Sequence, residues 1–297
     1  MPSPLSRRQF LGAAALGAAS LAAPPTLCAK TSQWTIGCLN RPWSNWSTDE
    51  MLDGIATAGF RTIGLQTPTK SDPFVGSTAT PDYLARLKEK IAARGLTVIQ
   101  SRLRTMDNAT FEQATSDIRQ QITNARALGV RTLLSTGTNK SEHYENWYRL
   151  MGFAARHGAD HGVRIVTKPH GGVVATGADL LKCLEKVGHE NFSIWYDAGN
   201  ILFYTGLDPL AELEPVISHV TAFTGKDCEG LKSNVMIQFG RGKVDFSSIF
   251  RRLKRASFHG PVMMESCAIG ATPDETTNNA RANREFLERV LSDLNRN

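Results

Sequence analysis

Two ionisable side chains follow a short, β-branched segment near the middle of the chain. Residues 163–167 (Val-Arg-Ile-Val-Thr) precede Pro169 and a Gly-Gly pair, a composition typical of a buried strand that ends in a turn. Lys168 and His170 lie two positions apart just beyond it, so they share one face of the extended chain. Burying a lysine there is costly unless carboxylates lie close to its ammonium group. The sequence therefore predicts acidic partners for Lys168.

Carboxylates follow two other apolar segments that we predict to be strands. Asp197 comes directly after residues 192–196, and Glu265 ends the segment 261–265. Carboxylates beside an ammonium group can hold it where it polarises a substrate oxygen, and a nearby base can then move a proton. This chemistry requires the three segments to end at one place in the fold.

The predicted elements that would bring these segments together alternate regularly. From Gln33 onward, eight strand-like segments are each followed by a helix-like segment, which matches a (β/α)8 barrel in count and length. A doubly wound sheet also alternates strands and helices, but there is no Gly-x-Gly-x-x-Gly after the first predicted strand. We therefore predict an α/β fold, a single-domain (β/α)8 TIM barrel, with its active site at the C-terminal strand ends.

Such a barrel collects at one rim the residues that follow its strands. We assign catalysis to Lys168, His170, Asp197 and Glu265. The barrel brings these side chains together at one rim, which favours catalytic over structural roles for them. Each other polar residue has a structural alternative, such as a solvated loop arginine or a helix cap, and Asp227 fits a cap or turn. The predicted substrate-binding residues follow the remaining strand ends: Arg41, Trp43, Gln66, Arg102, Asn200 and Lys226.

The N-terminus has the pattern of an export signal. Arg7 and Arg8 form a twin-arginine motif, followed by an apolar run over residues 12–23 and two prolines. The run is too short to span a bilayer comfortably, which disfavours stable membrane insertion, and the residues before Cys28 disfavour a lipoprotein. We predict a signal over residues 1–29 that engages the twin-arginine translocation machinery, a barrel over residues 30–297, and a periplasmic or exported protein.

Composition and cysteine spacing disfavour a nucleic-acid partner, a zinc site and a disulfide. The chain has 34 Lys and Arg against 28 Asp and Glu, and their dispersal disfavours a nucleic-acid face. A homo-oligomer is compatible with this composition. Beyond the predicted signal, the cysteine spacing fits no zinc pattern. Cys38 and Cys267 lie on the first and eighth predicted strands, which are neighbours in a closed barrel, and we favour two buried thiols over a disulfide.

Six motifs are spread over the mature chain: Asn-Arg-Pro-Trp at 40–43, Lys-Pro-His-Gly-Gly at 168–172, Trp-Tyr-Asp-Ala-Gly-Asn at 195–200, Lys-Asp at 226–227, Phe-Gly-Arg-Gly-Lys-Val-Asp-Phe at 239–246 and Val-Met-Met-Glu at 262–265. Together they resemble the xylose-isomerase-like barrel superfamily, which includes sugar phosphate isomerases and epimerases and endonuclease-like relatives. The resemblance implies proton transfer next to a sugar carbonyl, through an enediolate.

The chain departs from that superfamily at its metal site. Metal-dependent members hold a divalent cation with a Glu after strand five, an Asp after strand six, a His after strand seven and a Glu after strand eight. By motif position, the chain retains Asp197 and Glu265. It differs at the other positions. Lys168 stands where the first Glu is expected, and Thr224 or Ala222 stands where the His is expected. Asn200 stands where epimerases often place another His.

Two carboxylates alone make a poor site for Mn, Mg, Co or Zn. We hypothesise that the Lys168 ammonium takes the place of the metal between Asp197 and Glu265, so that no cofactor is certain. In a less favoured variant, His170 becomes a third ligand and a divalent metal is retained.

The resulting assignment is a sugar or keto-sugar isomerase, epimerase or related lyase with a small carbohydrate substrate. Glu265 or His170 acts as the base, Lys168 as the electrophile and Asp197 as its orienting partner. Lys168 as a Schiff-base amine is a further alternative. A carbohydrate-binding or catalytically silent barrel is the competing function. An abasic-site endonuclease is disfavoured, because it needs more metal ligands, a basic DNA face and a cytoplasmic address.

Overall fold

Eight short strands close into a parallel barrel in chain order. The computed structural model describes residues 34–72, 75–106 and 108–296, without the side chain of Asn295. Each strand pairs with the next, and the first pairs with the last, which confirms the predicted (β/α)8 barrel. The strands are β1 Ile36–Leu39, β2 Thr62–Leu65, β3 Thr97–Arg102, β4 Thr132–Ser135, β5 Arg164–Thr167, β6 Phe192–Tyr196, β7 Val220–Gly225 and β8 Val262–Met264. The predicted signal at 1–29 lies outside the described residues.

Helices connect the strands around the outside of the barrel. They are α1 Thr48–Thr57, α2 Pro81–Ala93, α3 Phe111–Leu128, α4 Tyr144–Asp160, α5 Gly177–Val187, α6 Ala198–Thr205, α7 Pro209–Leu213, α8 Phe246–Arg255 and α9 Pro273–Arg296. Short 3-10 turns cover Arg41–Trp43, Ser141–His143 and Glu214–His219. Within the described ranges, none of the helices has the length and apolar character needed to cross a membrane.

Local capping explains where several helices begin and end. Ser47 and Glu50 form a capping box at α1, because each side chain bonds the other's backbone N–H. Thr110 and Gln113 do the same at α3, which ends at Gly129 with φ 92°. A glycine tolerates this left-handed conformation without a Cβ clash, so it closes the helix.

Two predicted helices differ from the structure. The sequence pattern predicts one helix over residues 141–157 and one over residues 210–217, but in the structure each stretch divides into an α-helix and a 3-10 turn. Helix α6 was not predicted at all. Asp197 caps its first turn by accepting a bond from the Asn200 N–H at 2.9 Å, and Gly206, with φ 72°, ends it.

The buried core has two parts. The larger part lies between the strands and the surrounding helices. The smaller part fills the barrel itself and takes one apolar residue from each of six strands. We call this smaller cluster the interior layer, and its members are Leu39, Leu134, Val166, Trp195, Ala222 and Met263. Filling a barrel with such side chains is what makes it a packed core and not a pore.

Candidate active site

The candidate site lies one step beyond the interior layer, at the carboxyl ends of the strands. Side chains alternate along a strand, so a residue two or four positions after a member of the layer faces the same side. The site residues follow this rule in the pairs Val166 and Lys168, Trp195 and Asp197, Met263 and Glu265, and Ala222 and Lys226.

Two lysines and two carboxylates form a closed cluster of alternating charge. Lys168 Nζ lies 2.9 Å from Asp197 Oδ2 and 2.5 Å from Glu265 Oε2. Lys226 Nζ lies 3.0 Å from Asp197 Oδ2 and 2.7 Å from Glu265 Oε1. The four side chains are between 0% and 5% exposed. We call them the ion quartet. The expected contacts of Lys168 with both acids are present, and Lys226 is an unexpected fourth member.

The two lysines differ in how their N–H groups are used. An ammonium group has three donors. Lys226 has three polar partners in the protein, because it hydrogen-bonds Asn200 Oδ1 at 2.9 Å in addition to its hydrogen bond with Asp197 and its ion pair with Glu265. Asn200 in turn donates from Nδ2 to the Pro169 carbonyl at 2.7 Å. Lys168 has only its two carboxylate partners within the described residues, which leaves one N–H for a ligand.

Electrostatics keep Lys168 and Glu265 charged. Burial lowers the pKa of Lys168, but Asp197 and Glu265 outweigh it and raise the pKa above its ordinary value. Burial raises the pKa of Glu265, and the charges of Lys168, Lys226 and Arg41 more than reverse this, holding the pKa well below the usual range. Lys168 is therefore a fixed ammonium at neutral pH, and Glu265 a fixed carboxylate.

The quartet borders a cavity of about 280 Å³, the size of a small ligand pocket. We call it the site cavity. Five residues that were not predicted also line it, namely Thr67 after β2, Thr136 after β4, Phe203 and Tyr204 on α6, and Val235 in the loop after β7. Asp197 lies behind the two lysines. The predicted residues that line the cavity are Arg41, Gln66, Arg102, Lys168, His170, Asn200, Lys226 and Glu265.

His170 is held in the cavity by Tyr204. The tyrosine hydroxyl lies 3.1 Å from His170 Nε2 and 3.3 Å from Nδ1. Burial, followed by the charges of Lys168 and Lys226, lowers the pKa of His170 to about 4. The imidazole is therefore neutral at physiological pH and has a lone pair to accept a proton.

Gln66 contributes a donor that the protein does not satisfy. Its side chain lines the cavity, the residue is 8% exposed, and its Nε2 has no hydrogen-bond partner among the described residues. The Asn40 Oδ1 fixes the chain here by accepting bonds from the Gln66 and Thr67 N–H groups. A buried donor without a partner is costly, so this amide is suited to a ligand oxygen.

The sequence profile described as xylose isomerase-like TIM barrel matches residues 52–290. The chain belongs to this family. A magnesium complex of a xylose isomerase-like TIM barrel protein from Mycobacterium smegmatis is similar, with 13% identity, TM-score 0.70, and coverage of 89% of this chain and 98% of that one. A comparison with curated proteins gave no match.

Two epimerase structures have the same fold. D-allulose 3-epimerase from Methylomonas sp., in complex with D-allulose, has 18% identity, TM-score 0.68, and coverage of 87% of this chain and 97% of that one. D-psicose 3-epimerase from Clostridium cellulolyticum H10, with D-tagatose, has 14% identity, TM-score 0.69, and coverage of 86% and 99%. At these identities the likeness shows the fold alone.

The donor set of this family member does not fit a divalent metal. The space between the Asp197 and Glu265 carboxylates holds the two lysine ammonium groups, whose positive charge would repel a cation. Within the part of the chain that the structure describes, no three His, Cys, Asp or Glu groups come close enough to hold one. The geometry of the described residues therefore disfavours the variant in which His170 completes a metal site.

Trp43 does not lie in the site. Its side chain is 0% exposed and packs in the main core against Gly54, whose Cβ position lies 2.5 Å from Trp43 Nε1. The predicted role of Trp43 in substrate binding is wrong, because the ring that follows the 3-10 turn over Arg41–Trp43 packs into the main core, while Arg41 reaches the cavity. Nothing in the residue types distinguishes these two directions.

Asp227 supports the site from outside it. Its carboxylate accepts bonds from the N–H groups of Cys228, Gly240, Gly242 and Val244, at 2.8 to 3.1 Å. A side chain at Gly242 would collide with this carboxylate, since its Cβ position lies 2.2 Å from Oδ1. Asp227 therefore anchors the loop after β7, in line with the structural alternative.

The four cysteines that the structure describes are thiols. Cys38, Cys183, Cys228 and Cys267 are free and buried, which confirms the preference for thiols over a Cys38–Cys267 disulfide. Burial, followed by the proximity of Cys267, raises the pKa of Cys38 well above its ordinary value. Buried protonated thiols of this kind are apolar filling and not nucleophiles.

Proposed function

We propose that this chain is an isomerase or epimerase of a sugar or keto-sugar derivative that moves a proton at the carbon next to a carbonyl. Membership of the xylose isomerase-like family supports a carbohydrate substrate, and two structures of the same fold are epimerases with sugars bound. The observation that carries the proposal is the buried Lys168 ammonium, which has an unused N–H and shares a cavity with the neutral His170.

Lys168 supplies the electrophile. A substrate carbonyl oxygen that accepts its third N–H gains negative charge as the neighbouring carbon loses a proton. The ammonium stabilises this oxyanion, and its position is fixed beforehand by Asp197 and Glu265. The quartet thus performs, with protein charges, the polarisation that a metal performs in metal-dependent relatives.

His170 is a better base than Glu265. Glu265 is held by three cations, Lys168, Lys226 and Arg41, so protonating it would break a compensated cluster. His170 is uncharged, faces the cavity and is oriented by the Tyr204 hydroxyl. It takes the proton from carbon and returns it to the same face of the enediolate at the neighbouring carbon, while a hydroxyl proton moves between the two oxygens, which completes an isomerisation. An epimerisation, in which the opposite face is protonated, needs a second acid on that face.

Solvent isotope exchange tests this function. Incubated in D2O with a panel of aldoses, ketoses and their acid derivatives, the protein should place deuterium next to the carbonyl of its substrate, as measured by NMR. Lys168→Met should lower the exchange rate about 10²- to 10³-fold, because the oxyanion loses its charged donor. Lys186→Met, which removes an exposed lysine paired with Glu145, is the matched control.

Two outcomes would reject the proposal. Unchanged exchange in a folded Lys168→Met variant would remove Lys168 from the chemistry. Thermal stabilisation by a sugar without any exchange would instead identify a carbohydrate-binding barrel. Metal analysis of the purified protein adds a separate check, since stoichiometric divalent metal bound through Asp197 and Glu265 would contradict the role given to the ammonium group.

We also propose that the protein works outside the cytoplasm. The twin-arginine motif at Arg7 and Arg8 and the apolar run after it support export, with translocation by the twin-arginine machinery. Cell fractionation of the full chain, compared with a variant carrying Arg7→Lys and Arg8→Lys, tests this location.

A further inference from the structure

The site cavity has more positive than negative charge. Four cationic side chains line it, and only two carboxylates, Asp197 and Glu265, lie in contact with any of them among the described residues. His170 adds no charge at neutral pH, since its pKa is about 4. The four cations are Arg41, Arg102, Lys168 and Lys226. Two positive charges therefore remain without a counter-charge.

Arg102 is the one of these four cations that has no acid partner among the described residues. Arg41 contacts Glu265 at 3.3 Å, and both lysines belong to the ion quartet. Arg102 donates one hydrogen bond, from an Nη to Thr136 Oγ1 at 3.0 Å, and none of the described carboxylates lies within ion-pair distance of it. A guanidinium has five N–H donors in a planar fork that matches a carboxylate or phosphate.

The position of Arg102 places this fork where a ligand can reach it. The side chain is half-buried at the end of β3 and lines the site cavity. It also lines a second cavity of about 580 Å³, and Thr136 and His170 are shared by both linings. A ligand whose reacting carbon lies near His170 and Lys168 can therefore extend towards the guanidinium at the shared wall.

We propose that the substrate is an acidic sugar whose carboxylate or phosphate group is bound by Arg102 at the wall between the two cavities. The simultaneous contact of its carbonyl oxygen with Lys168 rests on the proposed function. An anionic group would use the free fork of Arg102 and offset the excess positive charge. Gln66 Nε2, the unpaired buried donor, offers a further bond to a ligand oxygen. A neutral sugar leaves the fork of Arg102 without a charged partner.

Matched sugar pairs test the proposal by binding alone. Calorimetry would compare D-galacturonate with D-galactose, D-glucuronate with D-glucose, and D-glucose 6-phosphate with D-glucose. We expect the acidic member of at least one pair to bind about 10- to 100-fold more tightly, the usual value of a charged hydrogen bond. The preference should weaken as salt is added, because ions screen the attraction. Tighter binding of the uronates identifies a carboxylate, and tighter binding of the phosphate ester identifies a phosphate.

Charge-matched variants locate the effect. Arg102→Gln should reduce the acid preference to about one while affinity for the neutral sugar changes little, and Arg102→Lys should retain part of it, because Lys keeps the charge but loses the fork. Arg164→Gln removes the same charge from the exposed residue at the opposite end of β5 and should leave the preference unchanged. Thermal melting of each variant checks that it is folded.

The results separate this inference from the proposed function. Equal affinities of the wild-type protein for acidic and neutral members of every pair that binds would overturn the acidic substrate, as would an unchanged preference in Arg102→Gln. Deuterium exchange on neutral sugars without any acid preference would retain the isomerase and reject the inference. Acid-selective binding through Arg102, with no exchange on any bound sugar, would retain the acidic ligand and reject the isomerase.

Discussion

The interior layer and the ion quartet occupy successive levels of the same barrel, and they are stabilised in opposite ways. Val166, Trp195 and Met263 fill the barrel by shape and apolar contact, each worth roughly 1.5–3 kcal/mol on burial. Two residues further on, just beyond the same strands, Lys168, Asp197 and Glu265 are just as buried, but they are compensated by charged partners: by one another, by Lys226 and, for Glu265, by Arg41. The layer needs no partner of particular chemistry, whereas the quartet needs all of its members.

This difference indicates why the quartet exists. Replacing a buried ion pair by apolar residues of similar size is often neutral or stabilising, because the charges give up their hydration. By this tendency, one more level of apolar residues in place of the quartet is expected to leave the barrel about as stable. Four buried charges at the mouth of a cavity are better explained by what they do to a ligand than by what they do for the fold.

The largest expected effect comes from unbalancing the quartet. Glu265→Gln keeps the shape of the side chain but leaves Lys168, Lys226 and Arg41 facing one carboxylate, which should cost about 3–5 kcal/mol of unfolding free energy. Urea denaturation measures this. Glu145→Gln breaks an exposed pair with Lys186 and should cost less than about 1 kcal/mol. Equal costs for the two substitutions would show that the quartet is not energetically distinct from a surface pair.

A cavity in the interior layer should cost a comparable or smaller amount of unfolding free energy, but it should leave the exchange rate unchanged. Leu134→Ala removes a 0% exposed side chain below the site and should cost about 2–5 kcal/mol. Deuterium exchange per folded molecule should stay near the wild-type rate, because no charge of the quartet is removed. Loss of exchange in a folded Leu134→Ala protein would mean that the layer also positions the quartet, and the proposed division of roles would fail.

The alternation of side chains along strands was sufficient to predict part of the candidate site from the sequence. The period of two placed Lys168 beyond an apolar strand, and the barrel brought Asp197 and Glu265 to the same rim. It did not place Lys226 inside the quartet, because a lysine at a strand end reaches either the substrate or a neighbouring acid. Only the distances of 3.0 and 2.7 Å to the two carboxylates decide this.

Two further differences had separate causes. Helix α6, which carries Tyr204, is absent from the predicted elements because its eight residues follow Asp197 immediately, and an aspartate there fits a strand-end site residue as well as a helix N-cap. The signal was present, since an aspartate at the N-cap and Gly206 just past the end are a normal helix start and stop. Trp43 carried no such signal, because its direction depends on the packing of α1 and the 3-10 turn.

The smallest expected effect is the pH dependence of the exchange rate. It distinguishes a histidine buried in the candidate site from one exposed to solvent. An ordinary histidine base loses its lone pair below a pH of about 6.5. Burial and the charges of Lys168 and Lys226 lower the pKa of His170 to about 4, so its base form persists as the pH falls and is lost only near that value. We expect the exchange rate to stay level between about pH 5 and about pH 8.

Stability should change over part of this range even though the rate does not. Unfolded His170 takes up a proton near its ordinary pKa, while the folded protein resists protonation, so its contribution to the unfolding free energy is complete above about pH 6.5 and declines as the pH falls towards 4. Parallel measurements of exchange rate and urea midpoint separate the two effects. A rate that falls by half near pH 6.5 in fully folded protein would remove His170 as the base, or would show that burial and the charges of Lys168 and Lys226 do not lower its pKa.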